Sequence, residues 1–325
     1  MLSEPPTIDS ASWRPATVDD AAAVSALQQA CFAADGGYRL TTEEFRNELA
    51  DPEISLPDDT LLALDDAGRA VAFVLVKVRS SFDDRMQIFG WDFVVPGHRG
   101  HGIEDFLLEW YEARGRERAV EIDPGLPGLL RTAAYDWQHD RIERLDAHGY
   151  EPIRYFVELV TNLSQPIEPT VLPEGYAFEA WPDDSDAIRV LHNEVFEDHW
   201  GTEARSPDEW ERYFLDEFFR VDLSFIVVGE GVPVAYLQSS AYPHDFEDRG
   251  RSEAWVETLG TARDHRRRGL ASVLINRALR EYQSAGFEFA AIGVDSESPT
   301  GALRLYEALG FEAEKRSISF GKVLV

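Results

Sequence analysis

Residues 254–271 read AWVETLGTARDHRRRGLA: an extended stretch ending near Thr261, a basic turn through Arg266, Arg267, Arg268 and Gly269, and a helix opening near Leu270. The helix is read from Leu270, Val273, Leu274, Ala278, Leu279 and Tyr282, which fall on one apolar stripe. Small residues at Gly269 and Ala271 let a ligand approach the backbone closely. A helix N-terminus carries N–H groups with no partner inside the helix, and a partial positive charge. Together these features make a cradle for a diphosphate, and arginines beside it add charge-assisted hydrogen bonds. A run of arginine usually faces solvent. Here it sits at a strand-to-helix junction in a chain with 31 basic residues against 60 acidic ones, which favours an anion as its ligand.

Outward from this junction the pattern occurs twice. Before it, Leu223 to Val228 and Pro233 to Ser239 read as a hairpin about Gly229-Glu230-Gly231; after it come a doubly buried strand, Phe289 to Val294, a short helix, Gly301 to Leu309, stopped by Gly310, and a last strand. In the first half Thr60 to Leu64 and Ala70 to Val78 make the same hairpin, Met86 to Val95 the third strand, and a glycine-containing turn ends at Gly102. Arg14 to Ala21 and Trp181 to Ala187 each open a helix with an acidic cap. The pairs Phe32 and Phe196, Gly102 and Gly269, and Gly149-Tyr150 and Gly310-Phe311 keep one order at nearly one spacing. Each half therefore reads β-α-β-β-β-α-β-α-β, an α/β fold with helices on the faces of a mixed sheet. Pro166, Pro169 and Pro173 mark residues 162–175 as the linker, giving domains at 1–163 and 164–325.

The stretch Arg266-Arg267-Arg268-Gly269-Leu270-Ala271 resembles the acetyl-CoA signature of the GNAT superfamily, Gln/Arg-x-x-Gly-x-Gly/Ala, with Arg266, Gly269 and Ala271 in the fixed places. Residues 298–311, SPTGALRLYEALGF, resemble that family's Asn-x-x-x-Ala-x-x-x-Tyr-x-x-x-Gly-Phe element, with Ser298 where Asn is usual, a departure that puts one contact to the pantetheine arm in doubt. The glycine motif alone is weak; both motifs at this separation are strong. The tandem layout, with an active C-terminal copy, resembles that of the mycothiol synthase group.

The resemblance implies two tandem acyl-CoA N-acyltransferase domains with acetyl-CoA as cosubstrate. It implies that the strand before the turn splays from its parallel neighbour and that pantetheine pairs along Leu259, Gly260 and Thr261. It also implies Tyr306 as the proton donor to the leaving thiolate, Glu257 as the candidate base, and a backbone N–H at Leu259 or Gly260 for the oxyanion. Each has a plainer reading: an amphipathic-helix aromatic for Tyr306, a solvated strand carboxylate for Glu257. The acceptor pocket is expected near Phe196 to Gly201, where His199 and Trp200 beside two acids suit a cationic amine, or simply form a capped turn over a buried Trp. In the first half Arg99 and Gly102 keep the signature, but Glu104 replaces the last small residue and Leu145 stands in the place of Tyr306. That half is expected to be non-catalytic, a structural platform or a weak CoA binder.

With 325 residues, 44% of them hydrophobic, the chain can bury two cores. A formal charge of −29 argues against nucleic acid and membrane surfaces as partners and for a small-molecule amine. Only Lys77, Lys315 and Lys322 are lysines, which fits salt adaptation or an Arg-rich codon bias equally. The single cysteine, Cys31, excludes an intrachain disulfide, and no metal site is expected. MLSEPPTIDS lacks a basic or apolar signal region and no apolar run is long enough to span a bilayer, so the expected location is cytoplasmic, as monomer or homodimer. The functions weighed are a small-molecule N-acetyltransferase, an acyl-CoA sensor without turnover, and a protein N-acetyltransferase.

Overall fold

The structure is a computed structural model that describes residues 5–8, 11–79, 85–197, 204–214, 217–297 and 302–324. It divides into two compact units, Met1–Arg154 with Ser317–Val325, and Tyr155–Arg316.

In the first unit the elements are β1 (Ala11–Arg14), α1 (Ala21–Asp35), α2 (Thr42–Leu49), α3 (Leu56–Asp59), β2 (Thr60–Asp65), β3 (Ala70–Val78), β4 (Met86–Val94), α4 (Ile103–Ile122), β5 (Gly128–Tyr135), α5 (His139–Ala147) and the start of β6 (Glu151–Asn162). In the second they are the rest of β6, then β7 (Tyr176–Ala180), α6 (Asp186–Phe196), α7 (Pro207–Phe214), β8 (Phe225–Gly229), β9 (Val232–Ser240), α8 (Phe246–Arg249), β10 (Glu253–Thr261), α9 (Leu270–Ser284), β11 (Phe289–Asp295), α10 (Ala302–Ala308) and the start of β12 (Glu312–Leu324). The expected repeat is thus present strand for strand, and α2, α3, α7 and α8 are helices beyond the expected pattern.

Within each unit a hairpin and a third strand run antiparallel, and the third strand then pairs in parallel with the next: β4 with β5, β10 with β11. The last strand of each sheet comes from an unexpected part of the chain. Residues 156–162 of β6 pair with β11, and residues 317–324 of β12 pair with β5. A division at 163/164 therefore assigns each terminal strand to the other unit.

Strand β3 is buried on both faces. Phe73 and Leu75 pack under α1 and α2, while the alternating Val74 and Val76 pack under α4. In the second unit α9 turns Leu270, Val273, Leu274, Ala278 and Tyr282 onto the sheet, as its stripe predicts, and Ile188 and Leu191 of α6 enter the same core. Among the described residues no helix is long and apolar enough to cross a membrane, and no cluster of His, Cys, Asp and Glu is arranged to hold a metal.

Candidate active site

The parallel ladder of β10 and β11 ends at Val256 and Ile292, yet β10 runs on to Thr261 and β11 to Asp295. On its other edge β10 stays paired with β9 as far as Thr261 and Ala235. From Thr258 to Thr261, Leu259 and Gly260 included, the backbone is laddered on one edge and open on the other. That open edge is what an extended amide-bearing ligand needs in order to add itself as a strand. Glu257 lies at a register shift between Val256 and Thr258, a bulge that re-aims its side chain. Its carboxylate is exposed and accepts a hydrogen bond from Tyr242 Oη at 2.7 Å. Gly260 is glycine for a packing reason: a Cβ there would stand 2.6 Å from Tyr236 Cε1 and 3.2 Å from Val195 Cγ1.

Beyond Thr261 the chain makes one turn of 3-10 helix, Arg263–His265, and enters α9 through Gly269 at φ 81°. Arg267, just before it, sits at φ 61°, a left-handed conformation that costs a side-chain-bearing residue roughly 1–2 kcal/mol. Arg267 is exposed, and among the described residues its guanidinium has no partner. No side chain among the described residues bonds the backbone N–H groups from Arg267 to Ala271. Arg266 is engaged with the backbone instead. Its Nε donates to Thr261 O at 3.1 Å and its Nη2 to Val195 O at 3.3 Å, pinning the turn to the end of β10 and to α6. Arg268 donates to Tyr176 Oη at 2.8 Å and to Asp264 O at 2.9 Å. The three arginines are therefore not equivalent, and of the three only Arg267 has a guanidinium without a partner among the described residues. Open amides, a helix N-terminus and one uncommitted guanidinium suit a diphosphate.

Tyr306 stands on α10, after which Gly310 turns the chain and the Phe311 N–H bonds back to Tyr306 O at 3.1 Å. The ring is 6% exposed and meets Phe311 edge-on, with centroids 5.9 Å apart. Burial pushes its phenol well above the ordinary tyrosine value, so it stays a neutral O–H donor across the neutral range. Ser298, His199 and Trp200 lie outside the described residues.

The corresponding corner of the first unit has the same backbone and different contents. Strands β4 and β5 also part after Phe89 and Arg131, and the turn has Gly100 at φ 76° and Gly102 at φ 79°. Arg99 Nε donates to Val94 O at 3.0 Å, as Arg266 does to Thr261 O. Here, though, the carboxylate of Glu104, 7% exposed, accepts the Gly100 N–H at 3.1 Å, with Arg144 at 3.5 Å. The protein's own anion occupies the cradle. The parting of the strands is bridged by Tyr111 of α4, whose hydroxyl donates to Ile88 O at 2.7 Å and accepts the Arg131 N–H at 2.9 Å. Its ring lies so close over β4 that a Cβ on Gly90 would be 2.5 Å from it. Gly90 holds the position of Glu257, and in α9 the position of Tyr111 is Ala278. Leu145 takes the place of Tyr306 before the same glycine stop. Glu104 and Leu145 are visible in the sequence as losses. Tyr111 and Tyr242 are missed there; the one available signal is a glycine inside the otherwise bulky strand MQIFGWDFV.

Residues 186–311 match the acetyltransferase (GNAT) family. Mycothiol acetyltransferase of Thermobispora bispora is 26% identical over 225 residues, covering 67% of this chain and 70% of that protein. Among solved structures, a GCN5-related N-acetyltransferase from Sphaerobacter thermophilus superposes with TM-score 0.74 at 23% identity, covering 98% of this chain and 97% of that one. A tandem GNAT protein from the clavulanic acid biosynthesis pathway does so with TM-score 0.68 at 18% identity, covering 96% and 98%. The chain has the tandem GNAT fold. These structural likenesses concern the fold; the family match falls on the unit with the open edge, the unclaimed amides and Tyr306.

Proposed function

We propose that the protein is an acetyl-CoA-dependent N-acetyltransferase whose catalytic unit is Tyr155–Arg316 and whose acceptor is a primary amine on a small molecule. The observation that carries this reading is the open edge of β10 running directly into amides that no side chain bonds among the described residues. Acetyl-CoA supplies the activated acyl group. Arg267 and the N–H groups of Arg267 to Ala271 grip the diphosphate, with Arg266 and Arg268 holding the turn in shape. Leu259, Gly260 and Thr261 offer backbone groups to the pantetheine arm, to which Ser298 adds a weaker contact than the usual Asn. Glu257 takes the proton of the attacking amine, directly or through one water, and His199 and Trp200 line the acceptor side. An N–H of Leu259 or Gly260 stabilises negative charge developing on the carbonyl oxygen. As the new N–C bond forms and the C–S bond breaks, Tyr306 gives its proton to the leaving sulfur.

The test is turnover by the full chain with acetyl-CoA and a panel of primary amines, followed by CoA release and by the mass of the amine. An acetylated amine, with CoA release lost in Tyr306→Phe while acetyl-CoA still binds, supports an enzyme. Tight acetyl-CoA binding with no amine acetylated makes the protein a binding module instead.

A further inference from the structure

The face of β10 beside Glu257 is built from aromatic rings that belong to one contiguous cluster. Phe218 lies against Tyr242 and against His244, with both centroid distances 5.1 Å, and Tyr242 meets His244 at 6.1 Å and the edge of Trp255 at 6.5 Å. The cluster ends in the Tyr242 hydroxyl, which donates to Glu257 Oε1 at 2.7 Å. Glu257 stands on a bulge, so the ladder alone does not hold its side chain. Other titratable or charged groups around it are His244 and Asp245 after β9, Tyr282 on α9, which bonds Trp255 O at 3.2 Å, and Arg220 before β8.

We propose that Tyr242 is a positioning residue that orients Glu257 toward the acceptor amine, and that the Phe218–Tyr242–His244 cluster is the wall on which the acceptor's apolar or aromatic carrier rests. This rests on the acetyltransferase reading of the same site and names its substrate class: an amine carried next to a flat or apolar group. A hydrogen bond donated to a carboxylate oxygen fixes the side chain's direction, so Tyr242 aims Glu257. The rings add a surface that attracts both an apolar body and a protonated amine before it gives up its proton.

The experiment compares wild type, Tyr242→Phe, Phe218→Ala and Glu257→Gln in the full chain, with benzylic and short aliphatic amines as acceptors. In Tyr242→Phe we expect kcat to fall about ten-fold while KM for the amine and acetyl-CoA affinity stay unchanged. In Phe218→Ala we expect KM for the benzylic amines to rise more than for the aliphatic ones. An unchanged kcat in Tyr242→Phe beside an inactive Glu257→Gln overturns the positioning role and leaves the base assignment standing. Full activity in Glu257→Gln removes the base itself. Equal KM changes for both amine classes overturn the wall.

Discussion

At 100–104 and at 267–271 the chain makes the same turn: a left-handed residue, a left-handed glycine two places on, and an arginine hydrogen-bonded back to the end of the preceding strand. What differs is what the turn encloses. In the first unit Glu104 folds back onto Gly100 N–H and Tyr111 closes the gap between β4 and β5. In the second, Ala271 and Ala278 are too small to do either, and Arg267 accepts an unfavourable backbone conformation that glycine takes in the first unit. Fold and site have thus been separated by a handful of side chains. The turn proposed to cradle a diphosphate is retained where Glu104 fills it, because it also ties strand to helix.

The comparison breaks most visibly at Tyr306, the proposed proton donor. Tyr306→Phe removes only an oxygen, and CoA release should fall by about 10²-fold or more with acetyl-CoA affinity unchanged, measured by thiol release and by calorimetry. The reverse change in the first unit, Leu145→Tyr, should produce no activity, since that unit lacks the open edge and the carboxylate as well. Next comes the cradle. Ala271→Glu copies the plug of the first unit into the second and should weaken acetyl-CoA binding by roughly 10- to 100-fold, the scale of one charge-assisted hydrogen bond lost to a competing anion. An unchanged affinity would mean that Glu104 is a bystander.

Smaller effects sharpen the picture. Tyr111→Phe strips the bridge between β4 and β5 of its hydroxyl, leaves two backbone groups short of a partner, and should cost about 1–3 kcal/mol of stability, read from denaturant unfolding, without altering turnover. Arg267→Gly should relieve the left-handed strain and remove the uncommitted guanidinium, raising the thermal midpoint slightly while weakening acetyl-CoA binding several-fold; both signs must appear together. The smallest concerns acid. Arg14 holds the Asp20 carboxyl down to about 2 through a hydrogen-bonded pair at 2.7 Å. A carboxyl depressed in the folded state adds stability above its unfolded value near 4, and that share is lost as pH falls toward 2. Arg14→Ala should therefore lower stability at neutral pH by no more than about 1 kcal/mol, since the guanidinium is largely in water, and flatten the loss below pH 4.

Much of this was legible in the residues. Periodicity and turn glycines placed the strands of both hairpins and the helix from Leu270, and the Arg266–Ala271 and Tyr306–Phe311 patterns carry the proposed cradle and proton donor. Three things were not. The exchange of last strands between units depends on long-range pairing, which a local pattern does not encode: residues 156–162 look equally like the end of either sheet. The run Arg266-Arg267-Arg268 reads as three equal charges, and only the folded turn separates two structural guanidiniums from one available to a ligand. The closing of the first unit by Tyr111 needs the meeting of α4 with two strands, and a tyrosine inside a helix gives no hint of where its hydroxyl ends. Tyr242 is hidden for the same reason, fifteen positions from the carboxylate it bonds.

The most direct test of one open corner and one closed one is the stoichiometry of acetyl-CoA binding, by titration calorimetry on the full chain and on Ala271→Glu. The account predicts one molecule per chain, lost or strongly weakened in the variant. Two molecules per wild-type chain, or one that binds Ala271→Glu as tightly as before, would contradict it.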